Sequence, residues 1–407
     1  MAIGSGDLPI LGAIEGIKIG TVSAGIKTPG RKDLVVFEIN ETASIAAIFT
    51  QNVFCAAPVQ IARKHLATGI QSRYLLINTG NANAGMGEEG IKDTLKTCRA
   101  LADEVGVDIA AVLPFSTGVI GEKLPVEKIV AEIPQALDSL VSDGWELAAE
   151  GIMTTDTRPK AACFSFRFQG KKITVTGIAK GAGMIKPNMA TMLGYLATDA
   201  RVEPKLLQSM FEGCADRSFN RITVDGDTST NDACILIATG AVENDTIESK
   251  DDTLYAPLEE AIERVCLQLA QGLIKDAEGA SKFVAVVVEG GLSIDESLMV
   301  AYTVAESPLV KTALFASDPN WGRVLAAIGR AGVDSLNVNN VALYLNDILI
   351  AERGQRAESY TEEQGSTAMA EEEISIRIEL NRGQESATVW TSDLSNEYVR
   401  INAEYRT

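Results

Sequence analysis

The sequence predicts an α+β fold in which sheets are layered between helices, followed by a smaller C-terminal α+β domain. Short apolar runs of strand length alternate with amphipathic helical patterns throughout the 407 residues. The pattern restarts after about residue 281, where a strongly apolar strand opens a second series of elements. A chain of this length can bury an ample core and form two or three structural units.

The first part of the chain alternates predicted strands with predicted helices. Apolar runs predict strands at LVVFEI (34–39), SIAAIFT (44–50), YLLINTG (74–80) and AVLPFSTG (111–118). One apolar face runs along a helix predicted over 88–105, and Pro125 opens the next predicted helix. A hairpin turning at Gly170 follows, and strong helical patterns over 202–219 and 258–277 complete this part.

The C-terminal part repeats the alternation around a sheet that we expect to be antiparallel. Its predicted elements are a strand at 283–291, helices over 296–305, 308–316 and 321–331, a strand-like run at 340–351, and strands at 373–380 and 384–394. The last two strands are expected to pair across the turn NRGQ, because EISIRIEL alternates strictly between apolar and polar residues. The acidic stretch 352–373 is predicted to be a solvated loop or an exposed helix.

Charge and composition exclude several classes of partner. The net charge of −19 argues against nucleic acid and anionic membranes, because both bind basic surfaces. No apolar run approaches the length of a transmembrane helix, and the N-terminus has no secretory-signal pattern. The six cysteines are scattered without a CxxC pair, so we expect free thiols, a reducing cytoplasmic location and no zinc site.

Familiar ligand-binding motifs are incomplete in this sequence. Gly181 and Gly183 begin a dinucleotide fingerprint that ends in Lys186 instead of glycine, and no GxxxxGK[ST] motif occurs. The stretch DGDTSTND (225–232) has Thr230 at its sixth position, where a calcium loop needs glycine. The single histidine, His65, lies in a pattern typical of a helix end, which leaves Ser-His-Asp catalysis unsupported. We therefore expect neither a metal nor a bound cofactor.

The segment KGAGMIKPNMATMLGYLATDA (180–200) places Thr191 between a glycine-rich loop and an apolar strand. A threonine hydroxyl is a weak nucleophile without a base, and its own α-amine, with an unperturbed pKa of about 7.7–8.0, could serve near neutral pH. That amine is free only if the peptide bond between Ala190 and Thr191 breaks. The glycines and the proline of the loop could hold the scissile carbonyl under strain. On these residues alone, a structural loop entering a strand is the simpler interpretation.

Motifs along nearly the whole chain resemble those of the glutamate N-acetyltransferase family, the ornithine acetyltransferases of arginine biosynthesis. Besides the segment around Thr191, the matching stretches are SAGIK...GRKDL (23–34), NTGNANAG (78–85), PFSTGVIGE (114–122), IMTTDT (152–157), SFNRITVDGDTSTND (218–232), KDAEGA (275–280), SDPNWGR (317–323) and YVRINAEYRT (398–407). The resemblance implies a layered helix/sheet/sheet/helix main domain of the self-processing acyltransferase type. It also implies self-cleavage before Thr191.

The resemblance further implies how the chain is divided. Cleavage would give an α chain of residues 1–190 and a β chain of residues 191–407. Within the β chain, residues 191–280 would complete the main domain, and residues 281–407 would form the smaller one. The family assembles from two copies of each fragment, so we expect a heterotetramer of two α and two β chains.

Individual residues receive roles from the same resemblance. Thr191 would be the nucleophile, and Thr117 with Gly118 would form the oxyanion hole. Substrate contacts would come from Thr154, Lys180, Thr191, Glu278, Asn402 and Thr407, with Thr155 as an alternative to Thr154. The lysine suits the carboxylate of an amino-acid substrate, and the glutamate suits an amino group.

The function implied is transfer of the acetyl group from N2-acetyl-L-ornithine to L-glutamate. The reaction would be ping-pong through an acetyl-threonine intermediate, without a cofactor, and acetyl-CoA is an additional donor in some members of the family. Two other interpretations stay open from the sequence. One is a self-processing amidase or aminopeptidase of the same architecture, and the other is a non-enzymatic binding protein in which the glycine-rich loop is an ordinary turn.

Overall fold

A computed structural model describes residues 3–4, 6–186 and 192–404 of the chain. Up to residue 280 its elements are, in chain order, β1 (Ile17–Val22), β2 (Leu34–Ile39), β3 (Ser44–Phe49), α1 (Ala57–Ala67), β4 (Tyr74–Asn81), α2 (Gly87–Val105), β5 (Val112–Val119), α3 (Val126–Asp138), α4 (Trp145–Gly151), β6 (Lys160–Phe168), β7 (Lys171–Lys180), β8 (Leu193–Thr198), α5 (Pro204–Arg217), β9 (Ile222–Thr223), β10 (Ala233–Ala238) and α6 (Tyr255–Lys275).

Among the described residues, most of these strands form two stacked sheets. The first sheet has the order β1-β2-β4-β5 and the second the order β3-β10-β8-β7-β6. Apolar side chains of both sheets meet in one buried core, in which Phe37 and Phe115 of the first sheet contact Tyr195 of the second. Helices α2 and α3 cover the outer face of the first sheet, and α5 and α6 cover that of the second. This layering confirms the fold predicted for the main domain.

The C-terminal part has its own sheet and core. Its elements are β11 (Phe283–Gly291), α7 (Ile294–Ala305), α8 (Pro308–Phe315), α9 (Trp321–Gly329), β12 (Ala342–Leu345), β13 (Ile348–Glu352), β14 (Gln355–Arg356), α10 (Glu362–Ala370), β15 (Glu373–Glu379), β16 (Glu385–Ser392) and α11 (Asn396–Ala403). The strand order is β14-β13-β12-β15-β11-β16-β9. Helices α7, α8 and α9 pack against one face of this sheet and complete a separate apolar core.

The expected pairing of the last two strands across the turn NRGQ is wrong. Strand β11 lies between them and pairs in parallel with β15 and antiparallel with β16, so the sheet is mixed. Val284, Val286 and Val288 of β11 are fully buried, which explains why this strand occupies a central position with neighbours on both sides. The strand-like run 340–351 divides into the hairpin β12–β13, which turns at Asn346 in the left-handed region.

The acidic stretch 352–373 contains a short helix with one buried face. Helix α10 begins with a capping box formed by Thr361 and Gln364. Ala368 and Met369 pack into the C-terminal core, while the acidic residues of the first turn are exposed. The predicted exposed helix is therefore present, and its small apolar residues attach it to the sheet.

The expected domain division at residue 281 stays a prediction, and the structure adds a connection across it. Strand β9 precedes residue 281 in the chain, yet it pairs in parallel with β16 through Ile222 and Thr223. Helix α11, at the other end of the chain, returns from the C-terminal part to the main sandwich. Its Asn402 donates a hydrogen bond to Glu278, which lies shortly after α6.

Two exclusions made from composition can be compared with the structure. No single helix in the described ranges is long and apolar enough to cross a membrane, and only α7 and α8 taken together as a bent pair reach that measure. All six cysteines are free thiols, as expected from their scattered positions. The cytoplasmic location stays a prediction.

Candidate active site

A cavity opens at one end of the sandwich, where strands of both sheets end. Strand β5 brings Thr117 and Gly118 from the first sheet, and β7 brings Lys180 from the second. Lys180 pairs with Leu193 at the start of β8, and Leu193 pairs in turn with Ala233 at the start of β10. The cavity has a volume of about 270 Å³. This volume lies near the lower end of the range of about 300–1,000 Å³ for small-molecule sites.

The cavity brings together predicted site residues that are distant in the sequence. Its walls include Thr117, Gly118, Thr154, Lys180, Glu278 and Asn402. Thr155 also lines the cavity, so both threonines remain candidates for the substrate contact. Ala190, Thr191 and Thr407 lie outside the described residues, but Met192, which follows the predicted nucleophile, forms part of the wall. The catalytic and binding roles of all these residues stay predictions.

Gly118 has a conformation and surroundings that require glycine. Its φ of +134° lies in the region that other residues rarely adopt. A Cβ atom at this position would lie 2.3 Å from the carbonyl carbon of Gly80, its partner on the parallel strand β4. The end of β5 therefore lies directly against β4 at this position.

Lys180 is a buried cation at the cavity wall, with only 9% of its surface exposed. Its ammonium group donates a hydrogen bond of 3.1 Å to the hydroxyl of Thr117. Burial lowers the pKa of Lys180, although the carboxylates of Asp156 and Asp232 oppose this shift. Among the described residues, no carboxylate lies within ion-pair distance of this ammonium, which carries three donors. It therefore retains capacity to bind an anionic ligand group.

A buried ionic network fixes the backbone on two sides of the cavity. The Asp156 carboxylate accepts hydrogen bonds from the backbone N–H groups of Thr154, at 2.8 Å, and Gly181, at 2.7 Å. The same carboxylate forms an ion pair with Lys160, which also lies 2.5 Å from Asp276. Burial opposes ionisation of Asp156, but Lys160 and Lys180 outweigh it and hold the pKa well below its usual range. The segment of Thr154 is thereby bound to the end of β7.

Asp232 is a cavity residue that the sequence interpretation missed. It is only 4% exposed, and its Oδ2 atom has no hydrogen-bond partner among the described residues. Burial raises the pKa of this carboxyl well above its usual value. The neighbouring Asn231 donates to the carbonyls of Ala82 and Ser116 and so connects the two sheets at the cavity.

The signal for Asp232 was the stretch DGDTSTND (225–232), which the sequence interpretation rejected as a calcium loop and quoted within a family motif without giving Asp232 a role. In the structure, the last residues of this stretch line the cavity instead. No group of three or more His, Cys, Asp or Glu side chains that could hold a metal ion occurs in the described ranges. The stretch therefore contributes polar groups to the cavity.

Glu278 and Asn402 close one side of the cavity. The side-chain amide of Asn402 on α11 donates a hydrogen bond of 2.7 Å to Oε2 of Glu278. The glutamate carboxylate also lies against the loop after β7, because a Cβ atom at Gly183 would be 2.5 Å from the same oxygen. Two residues separated by more than a hundred positions thus share one wall.

His65 lies where the sequence predicted, at the end of a helix and away from this chemistry. It occupies the last turn of α1, and its Nδ1 lies 2.7 Å from the carbonyl oxygen of Val112. The side chain is buried and does not line the cavity. The prediction of a helix-end histidine is confirmed.

The layered sandwich ends in a small polar cavity, and the chain's family makes it an acyltransferase. The chain belongs to the ArgJ family, whose family model matches residues 18–407. It is 57% identical to the arginine biosynthesis bifunctional protein ArgJ of Pseudomonas fluorescens (strain Pf0-1) over 407 residues, which is 100% of each chain. It is 58% identical to the protein of the same name from Pseudomonas syringae pv. tomato (strain ATCC BAA-871 / DC3000), again over 100% of each chain. The family resemblance of the motifs is confirmed.

Solved structures of similar proteins match parts of the chain. The arginine biosynthesis bifunctional protein ArgJ of Bacillus halodurans is 35% identical, with a TM-score of 0.49, and the match covers 51% of this chain and 97% of that chain. The ornithine acetyltransferase of Mycobacterium tuberculosis, solved in complex with ornithine, is 33% identical, with a TM-score of 0.40. That match covers 45% of this chain and 98% of the other.

Proposed function

We propose that this chain transfers the acetyl group of N2-acetyl-L-ornithine to L-glutamate through an acetyl ester on Thr191. The observation that carries the proposal is the single cavity that gathers residues from Thr117 to Asn402, which are far apart in the sequence. Relatives that match the whole chain at 57% and 58% identity are named for arginine biosynthesis. A cavity of this size suits two amino-acid substrates that bind one after the other.

Self-cleavage is the first step of the proposal. The Thr191 hydroxyl adds to the carbonyl carbon of Ala190, the C–N bond breaks, and the acyl group moves from nitrogen to oxygen. Water then hydrolyses the ester, which leaves residues 1–190 and 191–407 as separate chains. Strand β8 begins at Leu193 on the cavity wall, which supports a nucleophile two residues earlier.

Acetyl transfer then follows in two balanced steps. As Thr191 Oγ bonds to the acetyl carbon, its proton moves to the α-amine, and the amide C–N bond breaks as the ornithine nitrogen takes up that proton. The glutamate amine then attacks the ester carbon, the C–O bond breaks, and a proton returns to Oγ. The proposed donors at Thr117 and Gly118 would stabilise both oxyanions, each by about 2.7–4 kcal/mol.

The charges of the cavity match the groups that the two substrates carry. The ammonium of Lys180 donates to Thr117 and has spare donors. It therefore suits the α-carboxylate that acetylornithine and glutamate have in common. The carboxylate of Glu278 suits the free ammonium of acetylornithine. The proposal also requires that water is kept from the acetyl ester, which would otherwise be hydrolysed.

The proposal extends to donor, assembly and location. The same acetyl-threonine ester can form from acetyl-CoA, so acetyl-CoA is proposed as an additional donor, and no bound cofactor is needed. The fragments are proposed to assemble as a heterotetramer of two α and two β chains in the cytoplasm. The family resemblance supports the additional donor and the assembly, and the free cysteines support the location.

Partition of the acetyl group tests the reaction. Acetylornithine with a labelled acetyl group is mixed with glutamate, and labelled acetylglutamate and free acetate are measured. We expect acetylglutamate as the main product, no product with Thr191→Ala, and reduced but measurable transfer with Thr191→Ser, which keeps a hydroxyl nucleophile. Release of acetate without acetylglutamate would instead identify a self-processing amidase.

A further inference from the structure

The loop after β7 leads to the proposed cleavage site. Its described residues make several hydrogen bonds and one ion pair with distant parts of the chain. The carbonyl of Ala182 accepts a hydrogen bond of 2.8 Å from the backbone N–H of Glu278, and that of Ile185 accepts one of 2.7 Å from Val224. Lys186, the last described residue of the loop, lies 2.9 Å from the carboxylate of Glu306 on the C-terminal part. The loop is therefore fixed to three separate segments of the chain.

Asp225 supplies the loop's most direct side-chain contacts. Its Oδ2 accepts a hydrogen bond of 2.6 Å from the N–H of Met184, and its Oδ1 accepts one of 2.9 Å from the N–H of Ile185. Hydrogen bonds from backbone N–H groups to a carboxylate are roughly twice as strong as neutral ones. The carboxylate thus holds two consecutive peptide groups in one orientation.

Met184 needs such a contact, because its backbone conformation is unfavourable. Its φ of +54° is left-handed, which costs roughly 1–2 kcal/mol for a residue with a Cβ atom. The side chain is 42% exposed, so packing contributes little to holding it there. The bond to Asp225 therefore compensates for the strain at Met184.

Asp225 also contacts the terminal helix, through the same oxygen that accepts from Met184. The hydroxyl of Tyr398 on α11 donates a hydrogen bond of 3.1 Å to Oδ2 of Asp225. Burial, together with the Asp225 carboxylate, raises the pKa of Tyr398, so the phenol stays a donor at neutral pH. At Gly279, a Cβ atom would lie 2.7 Å from the backbone nitrogen of Tyr398, so α11 packs directly on the turn that carries Glu278.

We propose that Asp225 is a positioning residue that joins the cleavage loop to helix α11. It fixes the peptide groups of Met184 and Ile185, which precede the proposed cleavage site in the chain, and it holds the helix that presents Asn402 to the cavity. Asp225 itself is not among the residues that line the cavity, so its action passes through its neighbours. The inference rests on the proposed function, because it assumes self-cleavage before Thr191.

Substitutions can remove the contact of Asp225 with the loop and its contact with Tyr398 separately. Asp225→Asn keeps the size but replaces one acceptor oxygen by an NH2 group, which cannot accept from the second N–H. We expect self-cleavage of the full-length precursor, followed by denaturing gel during cell-free synthesis, to slow about tenfold or more. Tyr398→Phe removes only the hydroxyl, so we expect cleavage at the wild-type rate. In the cleaved Tyr398→Phe enzyme, we expect KM for acetylornithine to rise about threefold to tenfold with kcat nearly unchanged.

A rescue variant distinguishes positioning from general damage. Met184→Gly removes the strain that Asp225 compensates, so Asp225→Asn combined with Met184→Gly should cleave faster than Asp225→Asn alone. Thermal unfolding of each precursor reports whether the fold is intact. If Asp225→Asn does not fold, Asp225→Glu takes its place, because the longer side chain keeps the charge but displaces the carboxylate from the two N–H groups.

Several outcomes would overturn the inference. Cleavage of a folded Asp225 variant at the wild-type rate would do so, as would equal slowing by Tyr398→Phe, or absence of rescue by Met184→Gly. These results leave the proposed function standing as long as the wild-type chain is cut before Thr191. An uncut but active wild-type chain contradicts the proposed function itself.

Discussion

Lys180 and Lys311 are both buried lysines, and they are bonded in opposite ways. Lys311 on α8 is 3% exposed and donates to the hydroxyl of Thr391, at 2.9 Å, and to the carbonyl of Ser392. It thus ties helix α8 to the end of β16. Lys180 donates to the Thr117 hydroxyl and has spare donors beside a cavity.

The carboxylates near the two lysines also differ in how completely they are hydrogen-bonded. Asp393 accepts hydrogen bonds from the backbone N–H groups of Ser281 and Lys282 and from the Ser281 hydroxyl. The Oδ2 atom of Asp232, near Lys180, has no partner among the described residues. A buried charge normally finds its partners within the protein, because leaving it unmatched is costly. We interpret the spare donors of Lys180 and the unbonded Oδ2 atom of Asp232 as places for a ligand, whereas the hydrogen bonds of Lys311 and Asp393 stabilise the fold.

The largest expected effect comes from Lys180→Met, which tests the functional half of this comparison. Loss of one partner of a buried charge contact costs about 2–5 kcal/mol, so we expect kcat/KM for acetyl transfer to fall at least about 30-fold. The thermal unfolding temperature should change little, because removal of the buried ammonium is offset by loss of its contribution to the ionisation of Asp156. Steady-state kinetics and calorimetry on the same preparation check both results. A large loss of stability with little loss of activity would reverse the assignment.

Lys311→Met is the matched control and should show the reverse pattern. It removes the donor that Lys311 supplies to the Thr391 hydroxyl and the Ser392 carbonyl, so we expect the free energy of unfolding to fall by about 1–3 kcal/mol. Activity per folded molecule should stay within about twofold, because Lys311 is not among the residues that line the cavity. A denaturant titration with a parallel activity assay measures both quantities.

The pH dependence of the same pair sharpens the test. Burial lowers the pKa of Lys311 from 10.5 to about 8, although Asp393 and Asp225 oppose the shift. Between about pH 8 and 10.5 the unfolded chain binds this proton while the folded chain does not, so stability rises with pH. The wild type should therefore gain free energy of unfolding relative to Lys311→Met across that window. If the difference in free energy of unfolding between the wild type and Lys311→Met stayed constant or shrank with rising pH, a lowered pKa of Lys311 would be contradicted.

Asp232→Asn should give the smallest of these effects and report on the unmatched carboxyl. Ala233, the next residue, donates its N–H to the carbonyl of Met192 at 3.0 Å, so Asp232 lies next to the residue that follows Thr191. We expect kcat/KM to fall by up to about tenfold, as for loss of one hydrogen bond of about 0.5–1.5 kcal/mol. The pH profile of kcat should also lose one titration that the wild type shows. Asp393→Asn is the control, with lower stability and an unchanged profile.

Local patterns in the sequence predicted most of the main sandwich, because each strand and helix carries its own periodicity. The hairpin at Gly170 is an example, since β6 and β7 pair on both sides of that glycine. The position of β11 between β15 and β16 could not be predicted locally, because it depends on which strand is most buried on both faces. Sequence neighbours are only one of the alternatives for pairing.

The site residues divide in the same way, into those that a local motif predicts and those that depend on distant contacts. Motif resemblance selected Lys180, Glu278 and Asn402, and the described structure gathers them in one cavity. Asp232 and Asp225 were missed, because a carboxylate in a polar stretch shows neither its burial nor its partners in the sequence. Their importance depends on contacts with segments far along the chain, such as the bond between Asp225 and Tyr398.

We propose that the working enzyme carries a free α-amine on Thr191. Intact-mass spectrometry of the purified full-length chain, combined with N-terminal sequencing, tests it directly. We expect two species with the masses of residues 1–190 and 191–407, the second beginning with threonine, and acetyl-transfer activity in the same sample. A single uncut species of 43.3 kDa that transfers acetyl groups at full rate would contradict the account.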